Sequence, residues 1–156
     1  MFDWNEGDFH GVSFCLLVEN ALLSNPKLMP NLVTSGAMMM CTFGVAPSTL
    51  NVLPANKVLA AAPAANIMDH QPMVNIPPFG MCSSIANPTV ASATAAALGV
   101  LTPMPCIPNT VTPWAPGAAK TLIASMPALT DASKCNCLWA GVISITFAGQ
   151  VKTQVN

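Results

Sequence analysis

Between Gln71 and Ala119 the chain carries no Lys, Arg, Asp or Glu, yet Pro72, Pro77, Pro78, Pro88, Pro103, Pro105, Pro108, Pro113 and Pro116 all fall inside that span. Each proline fixes its φ angle and removes a backbone donor, so neither a long helix nor a central strand can run through it. The apolar pieces that remain are far shorter than the roughly 20 residues that cross a bilayer. A membrane span is excluded on this reading, and a soluble chain of short strands and many turns is predicted.

At 156 residues the chain has room for one domain with a modest core. Only 7% of its residues are charged and 53% are hydrophobic, against about a quarter charged in ordinary globular proteins. A domain of this size cannot hide so much apolar surface within itself, so an obligate protein partner is expected. The net charge of -1 and the absence of arginine argue against nucleic-acid binding, which needs basic groups on phosphate. Asp3, Glu6, Asp8 and Glu19 replace the basic start of a secretory signal, so no signal peptide is expected.

Residues 9–24 predict an amphipathic helix, with Phe9, Val12, Leu16 and Leu23 at helical spacing and Asn25-Pro26 ending it. Lys27 to Pro30 reads as a linker, which divides the chain into an N-terminal helical extension at 1–28 and a domain at 29–156. Within that domain, residues 141–148 (GVISITFA) predict a strand with Ile143, Ile145 and Phe147 on one face. Residues 121–126 and 50–59 are further strand candidates. One internal helix is expected at 88–98, capped by Asn87, begun by Pro88 and closed by Gly99.

Six cysteines, at 15, 41, 82, 106, 135 and 137, and two histidines, His10 and His70, carry what chemistry the chain can offer. Three readings of the thiols stay open: ligands of one structural zinc ion, a disulfide framework, and buried free thiols acting as small hydrophobes. Cys41, Cys82, Cys106 and Cys137 stand singly, each beside a turn signal, in MMCTFG, FGMCSS, PMPCIP and CNCLWAG. His70 reads either as a further ligand or as a ring bonded to its own turn. Cys135 and Cys137 could form a redox dithiol, although a structural role fits the surrounding sequence better.

No enzyme is expected. Cys82, His70 and Asp69 could in principle be assembled into a nucleophilic site, but no nucleophile elbow, HExxH or glycine-rich phosphate loop is present. The run Met38-Met39-Met40 and the indoles of Trp114 and Trp139 read as packing or contact residues.

GAMMMCTFGVAPSTLNV (36–52), PAANIMDHQPMVNIPPFGMC (63–82), ANPTVASATAAALGVLTPMPCIP (86–108) and ALTDASKCNCLWAGVISI (128–145) occur in that order. Together they resemble the PAAR-like proteins of contractile injection machines, above all the bacterial type VI secretion system. The resemblance runs from about Met29 to Gln150. It implies a mainly β fold, a small cone of short strands with one short internal helix. It also implies a tip that caps and sharpens the trimeric valine-glycine-repeat spike, links effectors to it, and holds a structural zinc (Zn2+).

The PAAR-like ligands carry over to Cys41, Cys82, Cys106 and Cys137, with Cys135 and His70 as alternates. Pro63-Ala64-Ala65-Asn66 lacks the arginine of the related repeat, and thiolates replace the histidines that better-known members use. The reading places the protein in the bacterial cytoplasm until firing, then outside with the spike. With no toxin domain expected after the last motif, cargo would be held noncovalently, through residues 9–24. The alternative from another class is a secreted, disulfide-bonded structural domain without metal.

Overall fold

The computed structural model describes residues 29–156. The helix expected over 9–24, together with His10 and Cys15, lies outside the described residues. Those residues form ten short strands and one α-helix: β1 (Met38–Cys41), β2 (Ser48–Thr49), β3 (Leu59–Ala60), β4 (Ala62–Pro63), β5 (Met81–Cys82), α1 (Pro88–Ala96), β6 (Met104–Pro105), β7 (Leu122–Ile123), β8 (Met126–Pro127), β9 (Lys134–Asn136) and β10 (Val142–Phe147). The fold is mainly β, as expected. Proline sets the strand length directly: β4, β6 and β8 each end on one, where a missing N–H ends ladder pairing.

Four strands make one antiparallel sheet in the order β2-β1-β10-β9, and β3-β4, β5-β6 and β7-β8 are separate two-stranded ribbons. Alternation in β10 buries Ile143 and Ile145 against the core. Phe147 departs from the expected face and is 47% exposed, while Ala148 is buried. The register explains it: Met38 pairs with Phe147 but Met39 with Ile145, so one extra residue bulges out and reverses the alternation.

Two expected strands change character. Residues 50–59 hold a 3-10 turn at Pro54–Asn56, with Lys57 in the left-handed region at φ 53, and pairing begins only at Leu59. Residues 121–126 fold back as the β7-β8 hairpin, because Ala124 and Ser125 both take positive φ, 51 and 66, the requirement of a two-residue hairpin turn. The helix starts as expected, with the Asn87 side chain accepting from the Thr89 N–H. Its end differs, since Leu98, at φ 55, takes the left-handed position ahead of Gly99. The Leu98 N–H donates to Ala95 O at 3.2 Å and the Gly99 N–H to Thr94 O at 2.9 Å, a Schellman closure around a non-glycine residue.

The chain is organised around a threefold-repeated ring. The Val33 N–H donates to Leu129 O at 3.0 Å, the Leu129 N–H to Ala65 O at 2.9 Å, and the Ala65 N–H to Val33 O at 2.9 Å. All three residues are fully buried. One residue further on, Thr34, Asn66 and Thr130 each accept, through their carbonyls, the N–H three positions ahead, from Ala37, Asp69 and Ser133.

One residue earlier, Leu32, Ala64 and Ala128 donate to Thr153 O, Val58 O and Thr121 O. Three equivalent arms result. Two are the continuous hairpins β3-β4 and β7-β8; the third pairs Asn31 with Gln154 and is built from both ends of the described chain. Leu32, Ala64 and Ala128 with Val155 and Ile123 fill a small core of their own, against which Ala60 packs. The larger core holds Trp114, Phe79, Met39 and Leu50, and the Trp114 indole N–H donates to Asp69 O at 2.9 Å.

Candidate metal centre

Four cysteines from four separate turns line one cavity. Cys41 ends β1, Cys82 ends β5, Cys106 follows β6 and Cys137 follows β9. Backbone bonds lock these turns together: the Cys106 N–H donates to Gly80 O at 2.8 Å, the Cys137 N–H to Gly141 O at 2.8 Å, and Gly44 bridges to Cys82. The four cysteines line a cavity of about 10 Å³ together with Phe43, Phe79, Pro108, Trp139, Gly141 and Ile143. That volume suits a single water-sized occupant.

Two glycines allow the approach. A Cβ at Gly44 would stand 2.5 Å from Phe79 Cβ, and one at Gly141 would stand 2.8 Å from Cys41 Sγ and 3.6 Å from Cys137 Cβ. The Trp139 indole is held over the cavity by donating to Ile107 O at 3.0 Å.

Burial pushes the Cys41 thiol up in pKa, the backbone hydrogen bonds at Phe43 and Gly44 pull it back, and Cys137 and Cys82 push it up again. Cys106 is raised in the same way, by burial first, against a backbone hydrogen bond at Phe79 and with the other three thiols adding to the rise. The Asn109 N–H donates to Cys137 Sγ at 3.4 Å. Backbone N–H groups aimed at sulfur orient it, the outer-shell arrangement that metal-binding cysteines use.

Among the described residues no group of three or more His, Cys, Asp or Glu side chains already stands in metal-holding geometry. The four thiols line the cavity without converging on one point. The side chains themselves suit a soft, tetrahedral ion: four sulfurs and an apolar wall around one small volume.

The other candidate ligands do not line the cavity. Cys135 is fully buried in the main core, where its thiol donates to Thr112 O at 3.5 Å, and burial, with Cys137 adding, pushes it up to about 12. His70 turns its Nδ1 to Met68 O at 3.0 Å. The Asp69 carboxylate accepts the Asn66 N–H at 2.8 Å within its own turn. Cys41, Cys82, Cys106, Cys135 and Cys137 are free thiols.

Residues 33–150 match the family described as "Domain of unknown function (DUF4280)". The chain belongs to that family. No curated protein and no solved structure matches it. The DUF4280 span opens on ring residue Val33 and encloses all four cavity thiols. Among the described residues of this DUF4280 domain, no helix is long and apolar enough to cross a membrane. Much apolar surface is nonetheless open, including Leu59 at 72%, Leu122 at 63% and Val151 at 73% exposed on or beside the arms.

Proposed function

We propose that this DUF4280 protein is a PAAR-like spike tip of a type VI or related contractile injection apparatus. One copy caps the trimeric valine-glycine-repeat spike, stiffens its point and links effectors to it. The observation that carries this reading is the threefold ring of Val33, Ala65 and Leu129. A single chain that repeats one backbone pattern three times around a point is suited to close the end of a trimer, where three equivalent surfaces converge. The exposed leucines of two arms supply apolar area for that contact. The order of the four sequence motifs adds independent support.

Cys41, Cys82, Cys106 and Cys137 are the residues that would hold a structural zinc. Bound there, the ion would cross-link four turns, with about 10–16 kcal/mol of apparent folding free energy available to such sites. The chain's own part would be to carry sulfurs on four turns around one cavity, aim backbone N–H groups at them and flank them with Phe43, Phe79 and Trp139. No turnover is required of the protein. It waits in the bacterial cytoplasm, loads cargo or an adaptor through residues 9–24, and leaves with the spike.

Two measurements test the reading together: co-purification with the trimeric spike, and metal content by elemental mass spectrometry with a denatured free-thiol count. A complex of one tip per spike trimer, with about one zinc per chain and all thiols reduced, is the expected result. No spike binding, or a metal-free protein with oxidised cysteines, overturns it. The latter outcome selects the disulfide scaffold.

A further inference from the structure

The threefold repeat extends to charge. Each arm strand is preceded by a lysine: Lys57 before Val58, Lys120 before Thr121 and Lys152 before Thr153. The carbonyls of those three following residues are the equivalent acceptors for Ala64, Ala128 and Leu32, so the lysines occupy one repeated position. All three are exposed. Their backbones are pinned, since the Lys57 N–H donates to Pro54 O, the Lys120 N–H to Asn156 O and the Lys152 N–H to the Gln150 side-chain oxygen.

The coincidence is informative because charge is so scarce. The described residues hold four lysines and two aspartates. Asp69 accepts the Asn66 N–H and Asp131 accepts from the Asn31 side chain. The remaining lysine, Lys134, lies in β9 of the four-stranded sheet.

We infer that Lys57, Lys120 and Lys152 form a threefold set of ammonium groups that receives one carboxylate from each chain of a threefold-symmetric partner. The inference rests on the spike-cap reading and adds to it the chemistry by which the spike's end is recognised. Cations repeated with the arms match an acidic group repeated with the partner's subunits, and such rim charges govern encounter rate and register. The chain's own acidic stretch is a poorer occupant: Asp3, Glu6 and Asp8 lie within six residues, so one contiguous segment offers a cluster rather than a threefold set.

The test is binding of the full chain to purified trimeric spike across a salt series. Lys57→Glu, Lys120→Glu and Lys152→Glu should each weaken binding about tenfold, and the triple variant at least about a hundredfold. Lys134→Glu should leave it unchanged. Zero-length carbodiimide coupling of the complex should join the three lysines to spike carboxylates. Wild-type failure to bind overturns the spike-cap reading and the inference with it. Tight wild-type binding that the triple variant retains overturns the inference alone, as does coupling of the lysines to Asp3, Glu6 or Asp8 of the same chain.

Discussion

Gly141 faces Cys41 so closely that a methyl group on its α-carbon would lie 2.8 Å from the sulfur. Gly141→Ala must therefore displace the Cys41 thiol or the Cys137 turn that carries residue 141. A loss of about 1–3 kcal/mol is expected from overpacking. Thermal unfolding of the metal-free protein reads that cost. A second effect, weaker retention of zinc against a chelator, reads the displaced sulfur.

Cys82→Ser and Cys137→Ser should each lower the stability of zinc-loaded protein by several kcal/mol, because each removes one ligand from the site we propose. Cys135→Ala should keep the wild-type metal stoichiometry, since that thiol packs in the core and faces Thr112 O. Elemental analysis and melting curves of the three variants separate the roles; near-wild-type melting in both serine variants would refute ligation.

The metal-free protein should weaken in alkali. Burial raises the Cys135 thiol from 9.0 to about 12 in the folded state, and Cys41 and Cys106 shift in the same direction. A thiol with a raised folded pKa is neutral in both states below pH 9, so its contribution is fully present there. As pH rises, the unfolded chain ionises first, and stability falls until the folded pKa is passed. Denaturant midpoints should drop between about pH 9 and 12, and Cys135→Ala should flatten part of that fall.

Leu98→Gly should stabilise the domain by about 1 kcal/mol, because Leu98 sits at φ 55 with 96% of its surface exposed. Glycine takes the left-handed position without the Cβ penalty, and the substitution gives up almost no packing. A raised denaturant midpoint with an unchanged slope is the expected signature.

What could be read beforehand was local. Asn87-Pro88 announced the helix start through capping chemistry, and the alternation of Ile143 and Ile145 announced the central strand. The four single cysteines were set apart by the turns beside them, and the structure places those same turns around one cavity. Long-range geometry was hidden. The outward Phe147 follows from a bulge set by its partner strand, and the 121–126 hairpin turns on Ala124 and Ser125, which lack the glycine or asparagine that marks such turns.

The threefold ring escaped for another reason. Lys57-Val58-Leu59-Ala60, Lys120-Thr121-Leu122-Ile123 and Lys152-Thr153-Gln154-Val155 form a visible series once aligned. Only two of them lead into the hairpins that complete their arms; the third is completed by Asn31 and Leu32, at the opposite end of the described residues.

That split arm makes the ends of the described chain a latch. The β3-β4 and β7-β8 arms can close as soon as their few residues are made, whereas Leu32 must wait for Gln150, 118 positions later, before its carbonyl gains the Gln150 side-chain amide. During synthesis the small core of Leu32, Ala64, Ala128, Ile123 and Val155 therefore stays open until residues 150–155 emerge. A nascent protein halted before residue 153 would leave the Leu32 N–H without its Thr153 acceptor, and the three-armed surface would become available for assembly only once residues 150–155 have been made.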